Sequence, residues 1–327
     1  MTTLIQSLES FQGRDLLDLS HLTREDILGL FRLAHAMKRD PSAYRDALAH
    51  RSIVLIFEKP SLRTRLTFDV GISNLGGHSV TLDHSSGGRL GERESIKDYG
   101  RNLERWCQAV VARVYSHDAL AQLAEHCDRP VINALSDRYH PCQSLADLFT
   151  LWEPNRSLDG VAISYVGDGN NVCHSLMEAC AILGVPLRVV TPEGYEPLKE
   201  VADSCTSLAA RGGGSLALSN DLGVIRGSTA VYTDVWTSMG QSTDGALKRQ
   251  EDFTPYQVNA ALIARASEGL PASSPRAAFM HCLPAKRGVE VTDDVIDGVH
   301  GPSLVYDQAE NRMHAQNALL TLTLARR

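Results

Sequence analysis

Ser52-Ile53-Val54-Leu55-Ile56-Phe57-Glu58-Lys59-Pro60-Ser61-Leu62-Arg63-Thr64-Arg65 is the stretch that decides the fold. It opens on an apolar run rich in β-branched residues, Ser52–Phe57, as expected of a strand buried in a parallel sheet. Pro60 and Ser61 then stand where a helix begins, Ser61 as its cap, and the residues from Arg65 to Leu75 carry the helix onward. A helix start presents unpaired backbone N–H groups and the positive end of its dipole, which together hold an anion. Ser61 and Thr64 add hydroxyls there, and Arg63 adds a planar fork able to grip two oxygens. Taken alone, the same residues also describe a capped surface helix with solvated arginines.

Outward from this unit, the strand-then-helix alternation repeats. In the first half, strands are predicted at Ser79–Leu82, Ala109–Val114 and Val131–Leu135, and helices at Ile96–Trp106, Ala119–His126 and Gln143–Trp152. After the polar turn Glu153-Pro154-Asn155 the pattern restarts. Strands are predicted at Val161–Val166, Leu187–Val190, Ser215–Leu218, Ala230–Thr233 and Ala278–His281. Helices are predicted at Ser175–Leu183, Leu198–Ala210 and Gln308–Leu324. Such alternation predicts an α/β fold with parallel sheets. A chain of 327 residues is too long for one ordinary core. Two doubly wound domains are therefore expected, with the active site in the cleft between them. The first spans 1–152 and is joined by a C-terminal helix at about 307–327; the second spans 153–306. Ligands should gather at the carboxyl ends of strands.

Composition narrows the function. A net charge of −7 argues against a general nucleic-acid partner, so phosphate chemistry must rest on a local arginine cluster. No apolar run reaches the roughly 20 residues that span a bilayer, so no membrane role is expected. Met1–Leu16 is mixed and acid-bearing, unlike a signal or transit peptide. Seven cysteines without a C-x-x-C pair suit reduced thiols in a cytoplasm, with neither a disulfide framework nor a structural zinc site.

A second motif, Tyr139-His140-Pro141-Cys142-Gln143, again lies between a strand and a helix. His140 and Gln143 can both reach one small polar ligand from the first turn of that helix, although a lone histidine here also reads as structural. Arg113, at the end of its strand, is a third candidate, because a charge closing a buried strand needs a reason. Ser-x-Arg-Thr-Arg followed by His-Pro-x-Gln resembles the aspartate/ornithine carbamoyltransferase family, in which these segments bind carbamoyl phosphate. The resemblance runs from about Leu17 to the last helix.

In the second half, Gly167-Asp168-Gly169-Asn170-Asn171-Val172 follows a strand. It is not the dinucleotide fingerprint, since Val172 stands where the third glycine belongs. That counts against an oxidoreductase using a nicotinamide cofactor, the rival enzyme class. Asp234-Val235-Trp236-Thr237-Ser238-Met239-Gly240 and His281-Cys282-Leu283-Pro284 each end further strands. An aspartate at a strand end can hold a cationic amine, or it can simply belong to a solvent-facing turn. The resemblance implies that these segments bind ornithine. It implies Asn171, Ser238 and Met239 at the amino-acid end, Asp234 and Cys282 near the reacting amine, and the Leu283 carbonyl toward the carbamoyl NH₂. Arg312, in Glu310-Asn311-Arg312-Met313-His314, matches the family's carbamoyl-contacting arginine; without the resemblance it is a helix surface charge.

The activity so implied is transfer of the carbamoyl group from carbamoyl phosphate to the side-chain amine of L-ornithine. The products are citrulline and phosphate, in arginine biosynthesis or catabolism. Arg63, Thr64, Arg113, His140, Cys282 and Arg312 are the expected catalytic set, with Ser61, Leu62, Gln143, Asn171, Asp234, Ser238, Met239 and Leu283 binding substrate. No cofactor or metal is expected, and the resemblance implies a homotrimer or an assembly of trimers. An N-acetyl- or N-succinylornithine acceptor and a non-catalytic ligand-binding descendant are the alternatives. Two departures stand out. Leu62 replaces the usual threonine, removing one hydroxyl while keeping its N–H. The family's glutamine contributed by a neighbouring subunit has no clear match in Ser85-Ser86-Gly87-Gly88-Arg89, where Arg89 or Ser86 is the candidate replacement.

Overall fold

Among the described residues, every strand of the two sheets runs parallel to its neighbours. The structure is a computed structural model describing residues 10–83, 88–237, 245–272 and 274–325. The chain divides into two compact units, Met1–Phe149 with Asn311–Arg327, and Thr150–Glu310.

The first unit opens with α1 (Arg24–Arg39). It then lays down β1 (Ser52–Phe57), α2 (Leu62–Asn74), β2 (His78–Asp83), α3 (Ile96–Trp106), β3 (Ala109–Arg113), α4 (His117–Glu125), β4 (Val131–Leu135) and α5 (Pro141–Trp152). Its sheet order is β2-β1-β3-β4. Consecutive side chains of a strand point to opposite faces, and Ile53 through Phe57 are all buried, so both faces of β1 are covered. On one face Val54, Ile56, Val110, Ala112 and Val131 pack with Leu103 of α3 and Leu120 and Leu123 of α4.

The second unit runs through β5 (Ile163–Val166), α6 (Asn171–Leu183), β6 (Leu187–Val190), α7 (Lys199–Gly212), β7 (Leu216–Ser219), β8 (Ala230–Thr233), α8 (Ala246–Phe253), α9 (Ala260–Ser267), β9 (Ala278–His281) and α10 (Asp293–Ile296). The last helix is α11 (Val305–Thr323). Sheet order is β7-β6-β5-β8-β9. Val166, Val190, Val231 and Phe279 pack with Leu262 and Ile263 of α9 and Val295 and Ile296 of α10.

Both orders contain one reversal. The chain goes from β1 outward to β2 and returns to β3 on the other side of β1. Likewise it goes from β5 through β6 to β7 and returns to β8 beside β5. At such a switch point the two following loops diverge and leave a crevice at the strands' carboxyl ends. The loops leaving β1, β3, β5 and β8 carry the first half's arginines and the second half's Asn170, Asn171 and Asp234.

Several helices start earlier than predicted. α2 begins at Leu62 instead of Arg65, because the Ser61 hydroxyl accepts from the Thr64 N–H and so caps the turn between them. α6 begins at Asn171 instead of Ser175, capped by Asn170. The helices α1, α8, α9 and α10 were not among the predicted elements.

Candidate active site

In the first unit, the α2 cap fixes the loop that follows β1. Ser61 has extended backbone and its hydroxyl oxygen takes the Thr64 N–H at 3.3 Å. Thr64 is buried, and its Oγ1 accepts from the Arg312 guanidinium at 2.6 Å. Arg312 is therefore no surface charge: it is 3% exposed and shares α2's first turn across 248 residues of sequence. Leu62 is exposed and Arg63 is half-buried.

Arg113, at the end of β3, is buried, as is His140 just before α5. Burial, followed by the charges of Arg312 and Arg113, holds the His140 ring well below the usual histidine range, so it is neutral near pH 7. A neutral imidazole among arginines offers one N–H to a carbonyl oxygen without adding charge. Gln143 is also buried, and its Nε2 donates to Asp147 at 2.8 Å. That fixes the amide's orientation and leaves its Oε1 without a hydrogen-bond partner among the described residues. A buried acceptor of this kind suits an incoming –NH₂. The first unit thus gathers hydroxyls, guanidinium cations, a neutral N–H and an orphan acceptor around strand ends, complementary to a carbamoyl group bearing phosphate.

Glu58 ties this loop to its neighbours. Its carboxylate accepts the Leu90 N–H at 2.6 Å and the Tyr115 N–H at 2.7 Å. Arg89 lies over the Tyr115 ring of its own chain, 4.4 Å from the centroid. Ser85 and Ser86 lie outside the described residues.

In the second unit, Asp234 is buried at the end of β8 instead of facing solvent in a turn. Its Oδ1 accepts the Val235 N–H at 2.8 Å and the Cys282 thiol at 3.0 Å, and its Oδ2 accepts from the Asn170 amide at 2.9 Å. Asn170 does two jobs. Its Oδ1 caps α6 through the Val172 and Cys173 N–H groups, and its Nδ2 aims the aspartate. Asn171 is the first, half-buried residue of α6. Gly169 is required sterically, because a Cβ there would sit 2.2 Å from the Pro197 nitrogen. Ser238 and Met239 lie outside the described residues.

Leu283 holds a left-handed backbone (φ 56°) ahead of a cis bond to Pro284, and its N–H donates to His281 Nδ1 at 2.8 Å. His281 Nε2 lies 3.3 Å from the fully buried Glu290, which also accepts the Lys286 N–H. The ligand atoms of Asp234, His281 and Cys282 fall within 4.8 Å of one another, the spacing of a metal site. His281 Nδ1 is already engaged by the Leu283 N–H and Cys282 Sγ by Asp234, however, so the cluster reads as a hydrogen-bonded support for the Cys282–Leu283 turn.

Arg249 of α8, a residue the sequence did not single out, holds the second unit's loops together. It pairs with Asp168 at 2.7 Å, donates to the Trp236 carbonyl, and lies 4.7 Å from the Tyr195 ring and 4.9 Å from that of Phe253.

Comparison with known proteins accords with this division. Residues 14–153 match the carbamoyl-P binding domain of aspartate/ornithine carbamoyltransferases, and residues 159–323 match their Asp/Orn binding domain. The chain belongs to the aspartate/ornithine carbamoyltransferase family. Within this family, the ornithine carbamoyltransferase of Shewanella oneidensis is 51% identical over 304 residues, covering 93% of this chain and 97% of its own. That of Pyrococcus horikoshii is 45% identical over 318 residues, covering 96% and 97%. The solved ornithine carbamoyltransferase of Pyrococcus furiosus superposes with a TM-score of 0.88 at 44% identity, covering 96% of this chain and 98% of that one. The Thermus thermophilus enzyme gives 0.80 at 42% identity, covering 94% and 97%. None of the described helices is long and apolar enough to cross a membrane.

Proposed function

We propose that the chain transfers the carbamoyl group of carbamoyl phosphate to the side-chain amine of L-ornithine, releasing citrulline and phosphate. The relatives named ornithine carbamoyltransferase support the acceptor, at up to 51% identity over nearly the whole chain. One observation carries the chemistry: Arg312 donating to Thr64 at the capped start of α2, beside a neutral His140 and an unsatisfied Gln143 oxygen.

In this reading the first unit binds the donor. The α2 amides, the Ser61 and Thr64 hydroxyls and Arg63 take the phosphate, while Arg113, His140 and Thr64 address the carbonyl oxygen. Gln143 and the Leu283 carbonyl accept from the carbamoyl NH₂. The second unit binds the acceptor, with Asn171, Ser238 and Met239 at its amino-acid end and Asp234 and Cys282 at its amine. The reaction requires the amine nitrogen to meet the carbamoyl carbon. That amine has a free pKa near that of lysine, about 10.4, and must lose its proton to attack. Attack gives a tetrahedral intermediate whose oxyanion meets donors already in place, the kind of contact that contributes a factor of about 10² to 10³. The ammonium proton goes to solvent as the acceptor binds, and the second proton, shed by the nitrogen after attack, goes to the departing phosphate.

An exposed apolar stripe on α2 supports self-association, for which the family resemblance implies trimers. Leu62, Leu66 and Val70 recur every fourth residue and are 70%, 50% and 45% exposed, more apolar surface than one helix leaves uncovered without reason. Seven free thiols suit a reducing cytoplasm. A phosphate-release assay comparing ornithine with N-acetylornithine, putrescine and aspartate tests the function. Equal or faster turnover of any of the other three would reject ornithine as the acceptor.

A further inference from the structure

Lys59 lies two residues beyond β1, and Tyr115 two beyond β3. Phe57 and Arg113, the last residues of those strands, are register partners, so Lys59 and Tyr115 leave the sheet side by side at its switch point. The Lys59 ammonium lies 4.5 Å from the Tyr115 ring centroid, and the Arg89 guanidinium lies 4.4 Å from that same centroid. Lys59 is only 5% exposed, yet no carboxylate forms an ion pair with it among the described residues. The nearest acid in sequence, Glu58, spends its carboxylate on the Leu90 and Tyr115 N–H groups. Burial, and after it the charge of Arg113, push the Lys59 amine below its ordinary range against opposite pulls from Asp137 and Glu58, with Arg89 adding a smaller push in the same direction as Arg113.

An ammonium withdrawn from water without an anion is costly, and an aromatic face offsets only part of that cost. Here the cost is incurred at the mouth of a site built of cations and helix N–H groups. We propose that Lys59, held on the Tyr115 ring, is a further anion-binding residue of the donor unit, contributing a charged hydrogen bond to a phosphate oxygen. The assignment rests on the donor reading of this unit and adds a residue that the expected catalytic and binding set does not contain. Its arrangement explains the local sequence: Glu58 anchors the loops at either side, Tyr115 supplies a platform, and Lys59 is left free to meet the ligand.

Titration calorimetry with inorganic phosphate tests this on the full chain, on Lys59→Met and on Arg63→Ala, with melting temperatures read alongside. Lys59→Met should bind phosphate at least about tenfold more weakly, the size of one charge-assisted hydrogen bond. It should melt no lower than the parent, because it removes an unpaired buried charge and keeps the side chain's length. Parental phosphate affinity in Lys59→Met, with affinity lost in Arg63→Ala, overturns the role of Lys59 and leaves the donor reading standing. Unchanged affinity in both variants overturns the donor reading as well. A Lys59→Met chain that melts lower or does not fold assigns the ammonium to structural support and likewise overturns the proposal.

Discussion

Replacing Arg312 with glutamine probes the donor site most directly, because one guanidinium does two separable things. It donates to the Thr64 hydroxyl at 2.6 Å, and its charge is the largest contributor after burial to holding His140 neutral. A hydrogen bond from a charged donor contributes about 1.5–3 kcal/mol, and a preorganised donor acting on transition-state charge about 2.7–4 kcal/mol. Arg312→Gln should therefore lower kcat/KM for carbamoyl phosphate by about 10²- to 10³-fold. Losing the nearby positive charge should also move His140 upward toward the usual histidine value of about 6.5. Two measurements separate these effects. Steady-state citrulline formation at saturating ornithine gives the kinetic loss. An NMR titration of ¹³C-labelled histidine in the ligand-free protein gives the shift, with a His140→Asn variant assigning the resonance. A variant within threefold of the parent would show that Arg312 is not at the reacting group. A His140 resonance that stays put or titrates lower would refute the electrostatic account even if activity fell.

Three further outcomes follow from the geometry. Gly169→Ala would press a Cβ against the backbone at Glu196 and Pro197, which cannot rotate away as a side chain can. It should cost about 1–3 kcal/mol, seen in denaturant titration, and raise KM for ornithine more than KM for carbamoyl phosphate; a neutral substitution would contradict the contact. Arg249→Leu removes the tie between Asp168, the Trp236 carbonyl and α8. KM for ornithine should rise about tenfold, equivalent to about 1.4 kcal/mol, with phosphate affinity in calorimetry unchanged. His140 and His117 both bind protons less readily in the folded chain than at the ordinary 6.5, burial being the first cause in each case. The unfolded chain thus takes up more protons as pH falls, so their contribution is intact above about 6.5 and is lost below it, by up to about 1.4 kcal/mol per pH unit for each group. Urea unfolding between pH 7.5 and 5.5 should show this loss, and His140→Asn should make the slope shallower; an unchanged slope would refute the assignment.

The sheets were legible because a strand covered on both faces is written as a continuous apolar run. Ser52–Phe57, Val131–Leu135, Leu187–Val190, Ala230–Thr233 and Ala278–His281 have the bounds read from their residues. Helix starts were less legible. A single first turn, such as Leu62-Arg63-Thr64 or Asn171-Val172-Cys173, is too short to show apolar periodicity, and only the cap's hydrogen bond reveals that the turn has begun. α8, with Ala246-Leu247-Lys248-Arg249-Gln250-Glu251-Asp252-Phe253, buries only Phe253 and so leaves almost no apolar stripe to read. Within the site, the separate motifs were visible but their couplings were not. Asn170 meets Asp234 across 64 residues because β5 and β8 are paired, and Arg312 meets Thr64 because the last helix returns to the first unit. No local window contains that information.

The same strand order explains why the polar groups can be buried at all. Each lies where a parallel strand ends and the next helix begins, so unpaired N–H groups and carbonyls are already present to be satisfied. Asn170 answers two of those N–H groups with one oxygen and still has an amide to spend on Asp234. Glu58 answers two more across β1 and β3, which fixes the loops that carry Lys59 and Tyr115 without neutralising Lys59. In both units, then, a side chain is committed to the backbone so that a neighbour of opposite function stays available: a carboxylate beside Cys282 in one, an ammonium beside Arg113 in the other. An anionic donor and a cationic acceptor need opposite fields, and a chain with one switch point per sheet can build each field on its own frame.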